Sequence, residues 1–204
     1  MVEEPSAGKV LEILVPRIAP ELRFAVREFQ GKTMLMKELP RRLKGYAVRM
    51  AWEDLKVVVL VDRDEEDCLA LKSQLDRYAA DAGLSTPNTA RRGFQVLNRI
   101  VVEELEAWYF GDVPALCRAY PRLPASLGQQ SRYRDPDAIS GGTWEMLEQV
   151  LRKSGYHKAG LRKLRAALDI APHMNVESNR SRSFEVFRDG LRRLADEDRH
   201  AEKN

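Results

Sequence analysis

Apolar residues recur with two different spacings along the first half of the chain. Helical spacing, with apolar residues three or four positions apart, predicts helices over residues 7–18, after Thr33 and over residues 68–78. Short apolar or alternating runs predict strands over residues 23–29, 57–61 and 94–102. Pro40 stands inside the second helix, and we expect it to kink or interrupt that helix because proline removes a backbone donor.

This alternation of elements predicts an α/β fold in which a mostly parallel sheet is flanked by helices. Pro and Gly punctuate the chain after Asp112, and the remainder is predicted to be helical near residues 144–153, 158–170 and 184–195. We therefore predict an α/β core over residues 1–112 and a helical C-terminal region over residues 113–204 that packs on the core.

The composition is that of a globular chain. Of the 204 residues, 44% are hydrophobic and 32% are charged, which is enough apolar material for a real core. The longest strongly apolar run is residues 57–61, far short of the roughly 20 residues of a membrane helix. No membrane association is expected, and a cytoplasmic location is predicted. Cys68 and Cys117 are too few for a disulfide framework, so reduced structural thiols are expected.

Two aspartates mark the end of the most apolar predicted strand. Asp62 and Asp64 follow residues 57–61, with Arg63 between them. Side chains two positions apart on a strand point to the same side, so we expect both carboxylates to leave the sheet edge together. At about 6 Å they would repel by roughly 2 to 3 kcal/mol, and a hard divalent cation would turn that repulsion into attraction. In the structural alternative, Asp64 caps a helix that begins at Glu65.

Acidic residues also stand at two other expected strand ends. They are Glu3 and Glu4 at the start of the chain, and Glu103, Glu104 and Glu106 after residues 94–102. Ligands of open α/β sheets bind outside the carboxyl ends of the strands, so the three acidic clusters are expected to share one metal site. Any one cluster could instead be surface decoration, and Glu4 with Ser6 could serve the amino end of the first helix.

These acidic clusters resemble the Toprim fold of topoisomerases, primases and the overcoming-lysogenization-defect nucleases. More narrowly, nearly the whole chain resembles an uncharacterised Toprim-like family of bacterial proteins, often encoded beside an ABC-type ATPase and related to the RloB-like group. The segments that carry the resemblance are residues 2–6, 29–32, 61–64, 103–108, 133–137 and 179–184. One departure is that only Met1 and Val2 precede Glu3, where a strand normally has about five residues.

The resemblance implies a Toprim-like sheet whose acids bind one or two Mg²⁺ ions, with Mn²⁺ as an alternative. The implied metal ligands and catalytic acids are Glu3, Asp62, Asp64, Glu104 and Glu106. Glu106 fits the Glu-x-Trp pattern of the RloB-like group, whereas Glu104 lies one helical turn from Trp108, and both stay candidates. The implied reaction is metal-assisted hydrolysis of phosphodiester bonds in DNA or RNA.

The resemblance further implies a partner and a biological role. The partner is an ABC-type ATPase, and the role is defence against phage or other foreign DNA. The alternative is a non-catalytic Toprim-like subunit that regulates or docks on an ATPase complex without turnover. A homodimer is compatible with the sequence.

Basic residues are candidates for contacts with phosphate. Lys158 lies between Gly155 and Gly160 and is the candidate for stabilising a charged transition state, although an ordinary basic helix start is the simpler alternative. The expected nucleic-acid-binding residues are Lys32, Arg41, Arg42, Arg91, Arg92, Arg180 and Arg182. The structural alternatives for these segments are solvated helix faces and helix caps made by Thr33 and Ser183.

Overall fold

The computed structural model describes residues 1–91 and 93–201. The strands are β1 (Val57–Asp62) and β2 (Val96–Val101). The α-helices are α1 (Pro5–Ile18), α2 (Lys32–Arg49), α3 (Cys68–Asp81), α4 (Glu106–Gly111), α5 (Val113–Ala119), α6 (Thr143–Lys153), α7 (Lys163–Ile170) and α8 (Arg182–Ala201). Short 3-10 turns span Ala125–Gln129, Ser131–Tyr133, Pro136–Ala138 and Ala171–His173. No helix of this described part has the length and apolar character needed to cross a membrane.

A small parallel sheet organises the fold. β1 and β2 lie side by side in parallel register. On the other side of β1, Val2 forms parallel bridges with both Leu60 and Glu28. The order across the sheet is therefore Glu28, Val2, β1 and β2, and the predicted α/β class with a parallel sheet is confirmed.

The two faces of the sheet carry separate hydrophobic clusters. Val57, Val59 and Val61 of β1 belong to a smaller cluster, which also contains the buried leucines of α2 and α3. Leu60 belongs to a larger cluster with residues of α1, α4, α5, α7 and α8. This division follows the two-residue repeat of a strand, and it leaves both faces of the sheet covered by helices.

The larger cluster joins residues from both predicted parts of the chain. Trp108 of α4 packs against Phe184 and Phe187 of α8, with ring centroids 5.1 Å apart in each case. Phe110 stacks on Tyr133, also at 5.1 Å between centroids. Helices after residue 112 therefore share a core with the sheet, while a domain boundary at that position stays a prediction.

Two of the segments that carried the resemblance contact each other. Asp137 accepts hydrogen bonds from the Ser181 hydroxyl at 2.8 Å and from the Ser183 amide at 3.0 Å. The Ser181 hydroxyl accepts from the Phe184 amide at 3.2 Å, which makes Ser181 the cap of α8. Ser183 was wrongly expected as that cap, and its hydroxyl instead accepts from the Trp108 indole at 3.1 Å.

The strand predicted over residues 23–29 is wrong. Only Glu28 of this described segment takes part in a bridge, held by hydrogen bonds from Val2 to Arg27 and from Phe29 to Val2, both 3.0 Å long. Among the described residues, the segment pairs with the sheet only through Val2, which is too little for a continuous strand. Phe24 is 42% exposed. Pairing partners, which local spacing cannot supply, decide whether such a segment forms a strand.

Helix starts also differ from the sequence expectations. Asp64 does not cap a helix that begins at Glu65, because α3 begins at Cys68 and Asp67 caps it by accepting from the Ala70 amide at 2.7 Å. Thr33 lies inside α2, which Gly31 precedes without a side-chain cap. Pro40 does not interrupt α2 either, because Leu35, Leu39 and Leu43 are fully buried at four-residue spacing along one face of the helix.

We expect Leu39→Ala to lower the free energy of unfolding by about 2 to 5 kcal/mol, because it removes buried apolar atoms and leaves a cavity. Urea unfolding measures this change. Val48→Ala on the same helix is the matched control, since Val48 is 69% exposed, and we expect it to change the free energy by less than about 0.5 kcal/mol. Equal effects of the two substitutions would contradict the packing of α2 on the sheet.

Candidate functional site

The parallel pairing of the strands brings two remote acids together. Glu3 follows Val2, which pairs with Leu60, and Asp62 is the last residue of β1. The Glu3 Oε1 atom accepts a hydrogen bond from the Asp62 amide at 2.9 Å. Glu3 is buried, so its carboxyl group is fixed at the sheet edge instead of lying on a frayed terminus.

Glu106 enters the same place from the neighbouring strand. It is the first residue of α4, which begins shortly after β2, and it is only 2% exposed. Its Oε2 atom is buried and has no hydrogen-bond partner. An unpaired buried carboxyl oxygen lowers the stability of the fold. A ligand bound to Glu106 would remove this cost.

These acids line one pocket at the carboxyl edge of the sheet. Its walls are Glu3, Glu4, Ser6, Ala7, Leu60, Asp62, Leu105, Glu106 and Lys163. The free volume is about 10 Å³, roughly the room that one water molecule or one small ion needs. The residues of the pocket come from the chain start, β1, α4 and α7, so only the tertiary structure assembles it.

Lys163 is the basic residue of the pocket. It is the first residue of α7, and its Nζ lies 3.6 Å from Glu4 Oε1 and 5.8 Å from the centre of the Trp144 ring. Burial works against its charge, but Glu106, Glu4, Glu104 and Asp62 outweigh it and raise the pKa of Lys163. The side chain is therefore a fixed cation beside the acids.

The acids of the pocket have pKa values far above the ordinary range. Burial raises the pKa of Glu3 to about 7 and that of Glu106 to about 7. Burial also raises the pKa of Asp62 well above its usual value, with further contributions from the charges of Glu3, Glu106 and Asp64. Crowded, desolvated carboxylates of this kind favour either protons or a cation.

Asp64 does not point into the pocket with Asp62, so the expectation that both carboxylates leave the sheet together is wrong. Asp64 lies beyond the end of β1 in the left-handed region, with φ 52°, and strand alternation no longer governs it. Its amide donates to the Glu103 carbonyl at 3.0 Å. Its carboxylate accepts from Lys32 Nζ at 3.1 Å.

Lys32 holds the turn that follows β1. Its ammonium group donates to the carbonyl oxygens of Asp62 at 2.6 Å and Arg63 at 3.1 Å, and it forms ion pairs with Asp64 and Glu66. The hydrogen-bonding capacity of this ammonium is thus used within the chain, whereas the sequence suggested a contact with nucleic acid.

Two of the later acids have structural partners outside the pocket. Glu103 has φ 61° and pairs with Arg63. Glu104 Oε2 accepts from the amides of Thr143 at 3.1 Å and Trp144 at 3.0 Å, so Glu104 stabilises the first turn of α6. Of the two candidates left open by the sequence, Glu106 is the one that lines the pocket.

Lys158 is not part of the pocket, although it was the expected catalytic lysine. It is exposed on a turn in which Gly155, His157 and Gly160 all have positive φ. The expectation of a helix from residue 158 is wrong at its start, because this turn occupies residues 155–160. α7 begins at Lys163. Lys163 was not among the site residues expected from the sequence, and the two turn-forming glycines were the signal that could have identified it.

Among the described residues, the expected nucleic-acid-binding arginines are not part of the pocket walls. Arg41 and Arg42 pair with Glu38 on α2, Arg182 pairs with Glu185, and Arg91 is exposed. Arg180 lines a separate groove with Val113 and Cys117. Arg92 lies outside the described residues. Contacts of these side chains with nucleic acid stay a prediction.

The donor set of the pocket fits a hard divalent cation in its chemistry. Its potential ligands are carboxylate oxygens, the atoms that Mg²⁺ and Mn²⁺ prefer. One of them, Glu106 Oε2, is buried without a hydrogen-bond partner among the described residues. The side chains do not form a ready cage, however, because no group of three or more His, Cys, Asp or Glu residues within the described ranges is arranged to hold a metal ion.

Comparison with known families places the chain in one of them. Residues 2–192 match the family model described as Domain of unknown function (DUF4276). The chain belongs to this family. The DUF4276 match includes every residue that lines the pocket. Searches of curated proteins and of solved structures give no match.

We expect the metal-free protein to lose stability as the pH rises from about 4.5 to about 7. The unfolded chain releases the protons of Glu3 and Glu106 near the ordinary pKa of 4.5, whereas the folded chain keeps them up to a pKa of about 7. Between these values the folded state binds more protons, so the free energy of unfolding falls with pH. Thermal unfolding in a chelating buffer across this range measures the slope.

A matched pair of variants isolates the pocket in that measurement. Glu106→Gln removes one titrating group of nearly the same shape, and we expect a shallower slope. Glu65→Gln changes an exposed acid near β1 and should leave the slope as in the wild type. If both variants keep the wild-type slope, Glu106 does not have the raised pKa.

Proposed function

We propose that the chain is a divalent-cation-dependent nuclease with a Toprim-like sheet, hydrolysing phosphodiester bonds of DNA or RNA at the pocket formed by Glu3, Asp62, Glu106 and Lys163. The observation that carries the proposal is the convergence of the carboxyl groups at positions 3, 62 and 106 on one small pocket, whose walls also include Glu4 and Lys163. Acids so far apart in sequence have no local structural reason to be buried together.

The residues that would hold the ion are Glu3, Asp62 and Glu106, whose side chains line the pocket. A bound Mg²⁺ or Mn²⁺ would lower the pKa of a coordinated water and neutralise charge on the phosphate. Asp64 would join the ligands only by leaving Lys32, whose contact with its carboxylate is 3.1 Å long. Glu104 is assigned to the first turn of α6 instead.

The ammonium group of Lys163 would contact a non-bridging oxygen of the phosphate. It lies at the wall of the pocket and carries a stabilised positive charge. A fixed cation at this position opposes the negative charge that develops on the phosphate in the transition state, and it needs no reorganisation when the reaction occurs.

The biological setting follows from the resemblance of the chain to Toprim-like proteins. We propose an ABC-type ATPase as partner and defence against foreign DNA as the role. The net charge of +3 is compatible with a nucleic-acid substrate but does not choose between DNA and RNA.

A non-catalytic subunit of an ATPase complex is the second candidate. Two observations favour it. The carboxylates of the described residues do not form a closed metal cage, and Glu3 already accepts a hydrogen bond from the Asp62 amide. In this case the acids would bind a partner or a structural cation without turnover.

A cleavage assay separates the two candidates. We expect the protein with Mg²⁺ or Mn²⁺ to cleave at least one of plasmid DNA, single-stranded DNA and tRNA. Asp62→Asn and Glu106→Gln should each lower the rate on the order of 100-fold, because each removes a metal ligand. Glu65→Gln is the control and should cleave as the wild type does. Cleavage that survives both pocket substitutions would refute this active site, and stable ATPase binding without cleavage would favour the second candidate.

The two lysines give an independent prediction. We expect Lys163→Met to lower the cleavage rate on the order of 100-fold, because it removes a cation from the pocket. Lys158→Met is the matched control and should stay within about twofold of the wild type. Thermal unfolding of both variants separates loss of chemistry from loss of folding. A larger loss of cleavage rate in Lys158→Met than in Lys163→Met would show that Lys158 is the catalytic lysine.

A further inference from the structure

Tyr109 is, like Glu106, a buried residue with a polar atom that has no hydrogen-bond partner among the described residues. It lies on α4 three residues after Glu106, which places the two side chains on one face of the helix. Tyr109 is 1% exposed, and its hydroxyl has no hydrogen-bond partner. The Glu106 Oε2 atom is also buried without a hydrogen-bond partner among the described residues. A donor, the Tyr109 hydroxyl, and an acceptor, the Glu106 carboxyl oxygen, are thus both unpaired on one helical turn.

An unpaired buried hydroxyl costs about 1 to 3 kcal/mol. Replacing Tyr109 with Phe would avoid this cost without changing the packed ring. Packing of the ring therefore does not explain why position 109 carries a hydroxyl group.

The charges around Tyr109 indicate which groups its hydroxyl would meet. Burial, followed by the charges of Glu106 and Asp62, raises the pKa of Tyr109 well above its usual value. The phenol therefore keeps its proton and is available as a donor. The acids whose charges act most on Tyr109, Glu106 and Asp62, are both residues of the pocket walls.

We infer that Tyr109 is a positioning residue of the proposed cation site, whose hydroxyl donates a hydrogen bond to the Glu106 carboxylate when that carboxylate binds a divalent cation. The inference rests on the proposed function, since it concerns the same pocket. A ligating carboxylate has a second oxygen to satisfy, and a hydrogen bond to it fixes the orientation of the ligand. The unpaired donor and acceptor of the cation-free protein would thereby satisfy each other.

The test measures Mn²⁺ binding and stability in separate experiments. In calorimetric titration with Mn²⁺, we expect Tyr109→Phe to bind about 10- to 100-fold more weakly than the wild type. In thermal unfolding without metal, the same variant should be as stable as the wild type or more stable, because an unpaired hydroxyl is removed. Tyr133→Phe is the matched control, a buried tyrosine of the same core that stacks on Phe110, and its Mn²⁺ affinity should not change.

The outcomes distinguish the inference from the proposed function. Equal Mn²⁺ affinity of Tyr109→Phe and the wild type would overturn the role of Tyr109 and leave the cation site standing. Lower metal-free stability of Tyr109→Phe with unchanged affinity would also overturn it, because the hydroxyl would then be a structural group held by a buried water. A wild-type protein that binds no Mn²⁺ would remove the proposed cation site and the inference with it.

Discussion

The parallel pairing of Val2 with Leu60 is the contact on which the candidate site depends. Because parallel strands end at the same edge of a sheet, this pairing sets the residue after Val2 beside the last residue of β1. The hydrogen bond from the Asp62 amide to Glu3 Oε1 then fixes the acid. On the other side of β1, the register with β2 brings the start of α4, and with it Glu106, to the same edge.

Bringing these acids together costs free energy because their charges repel and are buried. Two lysines near the acids reduce this cost. Lys163 lies among the acids of the pocket and is held charged by them. Lys32 lies outside the pocket, where it ties the turn after β1 through carbonyl and carboxylate oxygens. Burial is the largest cause of the raised pKa values of Glu3, Asp62 and Glu106, and the charges of neighbouring acids add to it. Buried acids balanced in this way favour either protons or a nearby positive charge.

The segments behind the resemblance divide between the pocket and the core. The first three segments supply the pocket with Glu3, Glu4, Asp62 and Glu106. Asp137 and Ser181 instead join two later segments at the start of α8. Trp108 connects the two groups, since its indole donates to Ser183 and its ring packs on Phe184. Some of these segments therefore contribute to the pocket and others to the packing of the core. The DUF4276 match includes all of them.

The sequence by itself determined the features that depend on near neighbours in the chain. Helical spacing located α1, α3, α6 and α8 within a few residues, the apolar run located β1, and the acids at strand ends pointed to the correct edge of the sheet. The tertiary structure alone decided which acid faces the pocket, because Asp64, Glu103 and the turn before Lys163 leave regular geometry through positive φ angles. Local spacing assumes that a strand or helix continues regularly, so it placed Asp64 beside Asp62 and chose Lys158 over Lys163. Burial of Glu106 and Tyr109 arises from packing between distant segments, which no window along the sequence contains.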